Sequence, residues 1–256
     1  MSPFGLRIWR ECPRHYRFRY VDKLLDRYSR PKAHFTMGDH VHAVLKDFLS
    51  RVPLHQRTVE GIEVLLRQKW RRFRHGFRNA EDEKRWAQKA LAQVRAFALS
   101  QDVSVHPYMV EASIEAEITP GLVLRGRVDR VDREADGGLH IIDYKTGRVP
   151  EVNDWSQLYL YALVLNRRLG LRVSRVSFLY LGSGALESSE PTRKALDRTT
   201  WELLVTATQI GRARAYGPRK GKWCSSCDFR PLCRETSPHP GGEEEGVLWT
   251  LSGGEV

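Results

Sequence analysis

The sequence predicts an α/β protein: a mixed β-sheet flanked by helices, with a long helical part at its N-terminal end. Three observations predict it. Apolar residues recur at helical spacing through about the first hundred positions. After Pro107 the period drops to two. A helix and a further strand then follow a run of three antiparallel strands, which makes the sheet a mixed one.

Each element has its own signal. Ser2-Pro3 reads as an N-cap followed by proline in the first turn, and Leu6, Trp9, Cys12 and Tyr16 recur near helical spacing. Gly38 to Leu49 is a second helix, with Val41, Leu45 and Phe48 on one face. Further helices are expected over Val59 to Phe73 and Glu81 to Leu99. Val110 to Ile118 alternates apolar and polar residues as a half-buried strand does. Leu122 to Asp132 is the second strand, Asp136-Gly137-Gly138 the turn, and Leu139 to Lys145 the third strand. Trp155 to Leu169 reads as a helix closed by Gly170. Val173 to Leu181 and Ala185 to Glu190 read as strands, and Thr199 or Thr200 as the cap of a last helix to about Ala215.

Residues 1–234 read as one domain: a mainly helical part at 1–105, an α/β core at 106–215 and a cysteine-rich closing segment at 216–234. The tail, 235–256, reads as flexible.

Charge narrows the partner. Forty-two Lys and Arg against 31 Asp and Glu give a net +11, which points to a polyanion, nucleic acid before an anionic membrane. No apolar run reaches the roughly 18 residues that span a bilayer. The arginine-punctuated start has no secretory h-region, so a cytoplasmic location is expected, with no membrane partner. In a reducing compartment Cys12, Cys224, Cys227 and Cys233 suit a metal better than disulfides. Zinc and a [4Fe–4S] cluster both accept four thiolates.

The chemistry concentrates in Gly126-Arg127-Val128-Asp129 and Asp143-Tyr144-Lys145-Thr146-Gly147. In a strand, i and i+2 share a face, so Asp143 and Lys145 point one way and Ile142 and Tyr144 the other. Asp129 lies on the preceding strand and comes alongside Asp143. Two adjacent carboxylates repel unless a cation sits between them. Oxygen donors suit Mg²⁺ or Mn²⁺, and a neighbouring lysine can orient a water and offset charge on a phosphate. The plain alternative is that both aspartates pair with nearby Arg and Lys of the hairpin. Between Arg67 and Arg78, basic and aromatic residues interleave; Trp70, Phe73 and Phe77 stand at the spacing of a packed stripe with a basic outer face. No base-reading motif accompanies them, so sequence specificity is not expected.

Taken in order, Cys12-Pro13, Gly38-Asp39-His40-Val41-His42, Gly126 to Asp129, Asp143 to Gly147, Gln157-Leu158-Tyr159-Leu160-Tyr161 and the closing cysteines resemble the PD-(D/E)XK nuclease superfamily. Within it they resemble the RecB-like branch that includes the AddB nuclease domain and the CRISPR-associated iron–sulfur exonucleases. The resemblance implies a restriction-endonuclease-like sheet and a staple in which Cys12, Cys224, Cys227 and Cys233 hold a [4Fe–4S] cluster, joining the two ends of the chain. It implies His42, Asp129, Asp143 and the backbone carbonyl of Tyr144 as ligands of Mg²⁺ or Mn²⁺, with Lys145 catalytic and Gln157 and Tyr161 beside the site. His40 competes with His42 on chemistry alone. A strand glutamate is also implied, for which Glu111, Glu115 and Glu117 compete, and none is assigned.

The implied activity is hydrolysis of DNA at ends or in single strands, in repair, recombination or CRISPR-related processing. No G-x-x-x-x-G-K-[ST] occurs, so unwinding would need a separate helicase partner. The alternative is a non-catalytic nucleic-acid-binding iron–sulfur or zinc module. An electron-transfer protein leaves the carboxylates unexplained.

Overall fold

The computed structural model describes residues 1–233. The tail expected to be flexible lies outside the described residues. In chain order come helices α1 (Pro3–Glu11), α2 (Pro13–Tyr16), α3 (Leu25–Tyr28), α4 (Ala33–Ser50), α5 (Val59–Trp70) and α6 (Ala80–Ser100). Strands β1 (Met109–Thr119), β2 (Leu122–Arg133) and β3 (Leu139–Lys145) follow. Then come α7 (Ser156–Leu169), β4 (Val173–Tyr180), β5 (Ala185–Ser189) and α8 (Arg193–Arg212). The chain forms two compact units, Met1–Leu6 with Pro31–Gln209, and Arg7–Arg30 with the segment from Ile210.

The first unit holds the sheet, ordered β1-β2-β3-β4-β5. β1, β2 and β3 run antiparallel, β3 and β4 are parallel across the α7 crossover, and β5 returns antiparallel on β4. This is the mixed sheet flanked by helices that the change of period predicts, and it is consistent with a restriction-endonuclease-like fold. Six of the seven residues of β3 are buried, because both faces are covered. Ile142 and Tyr144 enter one core with Val41, Leu45 and Phe48 of α4, Ile62 of α5 and Phe97 of α6. Asp143 faces the other way, to Gln157 of α7.

Several helix boundaries differ from the sequence reading: α4 begins at Ala33, ahead of Gly38, and α5 ends at Trp70, short of Phe73. The last helix begins at Arg193, where the Thr192 hydroxyl accepts from the amide of Ala195. Thr199 and Thr200 do not cap it; their hydroxyls donate back to the carbonyls of Ala195 and Leu196 inside the helix. In the second unit the N-terminal helix breaks at Cys12, which is extended (φ −159°) because Pro13 excludes the helical conformation from the residue before it. That unit centres on Phe229, 1% exposed, against the rings of His15, Phe18 and Tyr28.

His140 on β3 makes stability sensitive to acid. Its Nε2 lies 2.6 Å from Ser177 Oγ in the sheet interior. Burial, aided by the Arg175 charge, pushes its pKa down to about 4. The unfolded chain, near 6.5, therefore takes up the proton first, so stability is intact above about pH 6.5 and declines as pH falls towards 4. Urea unfolding should show a loss of about 2 kcal/mol between about pH 7.5 and pH 5. His140→Gln should flatten that dependence; an equal loss in the variant would assign the acid sensitivity elsewhere.

Candidate active site

The site opens where two strands part. The β2–β3 ladder reaches Arg130↔Ile142 and goes no further towards the start of β2. Just beyond, the amide of Tyr144 donates to a side chain instead of a strand: Asp129 Oδ2, at 2.8 Å. Asp129 thus fills the fork. An N–H and C=O of one strand residue point to the same side, so the Tyr144 carbonyl is directed to this fork as well.

His42, on α4, brings its Nδ1 to 3.0 Å from Glu111 Oε1 and 3.4 Å from Asp129 Oδ1. The donor atoms of His42, Glu111 and Asp129 all lie within 4.8 Å of one another, a set able to hold a metal ion. Burial opposes the imidazolium. The hydrogen bonds and charges of Asp129 and Glu111 outweigh it and raise the His42 pKa to about 10. That shift favours the imidazolium near neutral pH, whose charge offsets the two carboxylates. His40 is the structural histidine of the pair: it is buried, bonded to the Phe73 carbonyl at 2.6 Å and stacked on Trp70.

Of the three glutamates, Glu111 is the one that reaches the site. Strict alternation puts it on the same outward face as Glu115 and Glu117, both exposed. Glu111 escapes that face because its backbone is left-handed, φ +47°, an uncommon state for a residue with a Cβ and a form of strain that gathers at functional positions. The sequence offers it as one of three candidates and nothing in the alternation singles it out.

Asp143, Lys145, Gln157 and Tyr161 form an adjoining group. Lys145 Nζ lies 2.6 Å from Asp143 Oδ2, and Gln157 Nε2 donates to Asp143 Oδ1 at 3.1 Å and to the Tyr161 hydroxyl at 3.3 Å. Burial first, then the Asp129 charge, push the Asp143 pKa up to about 6 against Lys145 and His42. The expected repulsion of two carboxylates is therefore present. Asp143 itself stays outside the tight His42, Glu111 and Asp129 set. Tyr161 also accounts for Gly126: a Cβ there would stand 2.3 Å from the tyrosine ring. The two motifs, separate in sequence, are one packed contact.

A cleft of about 960 Å³ leads to His42, Glu111 and Asp129. Its walls carry Lys46, Arg72, Lys89 and Arg127, with Phe35 and Trp86 among them. Phe35 is 61% exposed, while Trp70 stacks on His40 and Phe77 as a packed stripe does. Cations beside exposed rings suit a phosphate chain and its bases.

In the second unit, Cys12, Cys224, Cys227 and Cys233 line one small cavity. All four are free thiols. Burial, together with the neighbouring Cys12 and Cys233, pushes the Cys227 thiol up. No three of these sulfurs lie within 4.8 Å of one another among the described residues.

No curated protein matches the chain in sequence. The model of the PD-(D/E)XK nuclease superfamily matches residues 1–234. A solved candidate exonuclease of Eubacterium rectale is 12% identical, with a TM-score of 0.50, over 99% of this chain and 93% of that one. The solved structure of SSO0001 is 15% identical, with a TM-score of 0.40, over 80% of this chain and 97% of that one. Among the described residues no helix is long and apolar enough to cross a membrane.

Proposed function

The chain belongs to the PD-(D/E)XK nuclease superfamily, and from that premise we propose that it is a Mg²⁺- or Mn²⁺-dependent deoxyribonuclease acting on single strands or DNA ends. One observation carries the reading. The His42, Glu111 and Asp129 donors converge at the end of a basic cleft, beside buried Asp143 and its partner Lys145. Oxygen donors with one imidazole fit a hard divalent ion.

His42, Glu111 and Asp129 would hold the ion, with Asp143 and the Tyr144 carbonyl completing the set. When bound, the ion supplies a Lewis acid that polarises the phosphate and makes hydroxide available near neutral pH. The protein supplies the rest. Asp143 fixes the Lys145 ammonium while leaving its side chain 34% exposed, so it is both oriented and reachable. From there Lys145 orients the attacking water and offsets charge on the phosphate. Gln157 holds the second oxygen of Asp143, and Tyr161 holds Gln157. The products are a phosphate terminus and a freed deoxyribose hydroxyl.

The test is cleavage of end-labelled oligonucleotides, single-stranded and duplex, DNA and RNA. DNA cleavage should disappear in EDTA and return with Mn²⁺ or Mg²⁺. A metal-loaded, intact chain that binds DNA and cuts nothing would favour a binding module.

We assign the four cysteines to a [4Fe–4S] cluster that staples the first helix to the closing segment, in a reducing cytoplasm. Four thiols that line one cavity support a shared ligand. Protein purified without oxygen should be brown, with about four irons per chain, and Cys12→Ser should bleach it. Stoichiometric zinc in place of iron overturns the cluster and leaves the nuclease site untouched. We place the chain in repair, recombination or CRISPR-related processing, with a separate helicase as partner.

A further inference from the structure

Arg127 stands at a junction. Its side chain lines the 960 Å³ cleft and also a second cleft of about 830 Å³, bordered by Phe4, Arg125, Tyr161 and Arg168. The two clefts therefore share one lining residue of β2, two residues from Asp129. Its guanidinium Nε lies 2.8 Å from Glu111 Oε2, while the side chain remains 59% exposed. Glu111 in turn gives its other oxygen to His42. Arg127 thus holds the same carboxylate that belongs to the metal-donor set, and does so from the path a strand would follow.

A cation that already neutralises Glu111 competes with a divalent ion for it. A guanidinium released from Glu111 has a planar fork matched to phosphate oxygens. We propose that Arg127 exchanges partners: it gives up Glu111 as the metal enters and takes the nucleic-acid phosphate at the meeting point of the two clefts, next to the bond to be cut. The strand then runs from one cleft into the other across Arg127. This rests on the nuclease reading and adds a phosphate-binding residue to it.

Two measurements on the full chain test the exchange. Manganese titration calorimetry on metal-free protein, without nucleic acid, should show tighter binding in Arg127→Gln, by about three- to tenfold, because a competing cation is gone. A residue that merely props Glu111 in place predicts the reverse, and weaker manganese binding overturns the proposal. With manganese present, cleavage of a labelled single strand should show KM raised about tenfold and kcat nearly kept. The salt dependence of log KM should lose about 0.7 in slope, the share of one phosphate contact on a single strand. Arg127→Lys, which keeps the charge, should retain the slope and serves if the glutamine variant fails to fold. Unchanged KM and slope in Arg127→Gln also overturn it. If the unsubstituted chain cleaves nothing, it is the nuclease reading that has failed, and the manganese titration still decides the exchange.

Discussion

Asp129→Asn should lower kcat by about a thousandfold or more, the scale expected when a charge that organises a metal-assisted transition state is removed. The substitution is nearly isosteric. The amide oxygen can still accept from the Tyr144 backbone, at 2.8 Å in the native chain, so the fork between β2 and β3 keeps its bond. What disappears is one negative charge from the donor set formed with His42 and Glu111. Manganese affinity should fall with activity, and the melting temperature should move by only a few degrees. Phosphodiester cleavage at saturating manganese, calorimetry of manganese binding and thermal unfolding separate the three effects. Full activity in a folded Asp129→Asn variant would remove the central carboxylate from the mechanism.

Lys145→Met should cost about two to four orders of magnitude in kcat, the range for a group that moves or stabilises a proton at the reacting atoms. Methionine keeps much of the aliphatic stem that lies over the Phe178 ring, 4.8 Å from Nζ to the centroid. It removes the ammonium at 2.6 Å from Asp143 Oδ2. Because that ammonium helps hold the Asp143 pKa down, the carboxyl should rise further in the variant. The pH–rate profile should shift its acidic limb upward accordingly. Metal affinity at His42, Glu111 and Asp129 should change by only a few fold, since Lys145 touches none of them. A variant that loses only KM, with kcat intact, would make Lys145 a binding residue. Arginine should not restore the rate, because its planar fork cannot take the place of a compact ammonium.

Much of this site was legible in the sequence, for reasons that can be stated. Asp143 and Lys145 share a face because a strand has period two, and the structure places them 2.6 Å apart. The Asp129–Asp143 proximity follows from hairpin register in the same way. His42 was distinguishable from His40 only through family resemblance. The two sit on different faces of α4, and only the packing of Trp70 and the Phe73 carbonyl determines which face is structural. Glu111 was one of three candidate glutamates and could not be singled out, since a left-handed residue in a strand breaks the alternation on which the reading depends. The start of α8 was missed because Thr199 and Thr200 look like caps until their hydroxyls are seen to bond inward. Four cysteines announce a ligand set, and their spacing alone does not choose between metals.

The donors come from far apart along the chain: His42 and Glu111 meet across 69 positions. Asp129 is brought to them only once β1 and β2 have paired and α4 has settled on the sheet. Contacts of such long range form late, after most of the loop entropy has been surrendered. A chain grown only as far as β1 therefore holds His42 and Glu111 without Asp129, and the three donors can assemble only after β2 has been added.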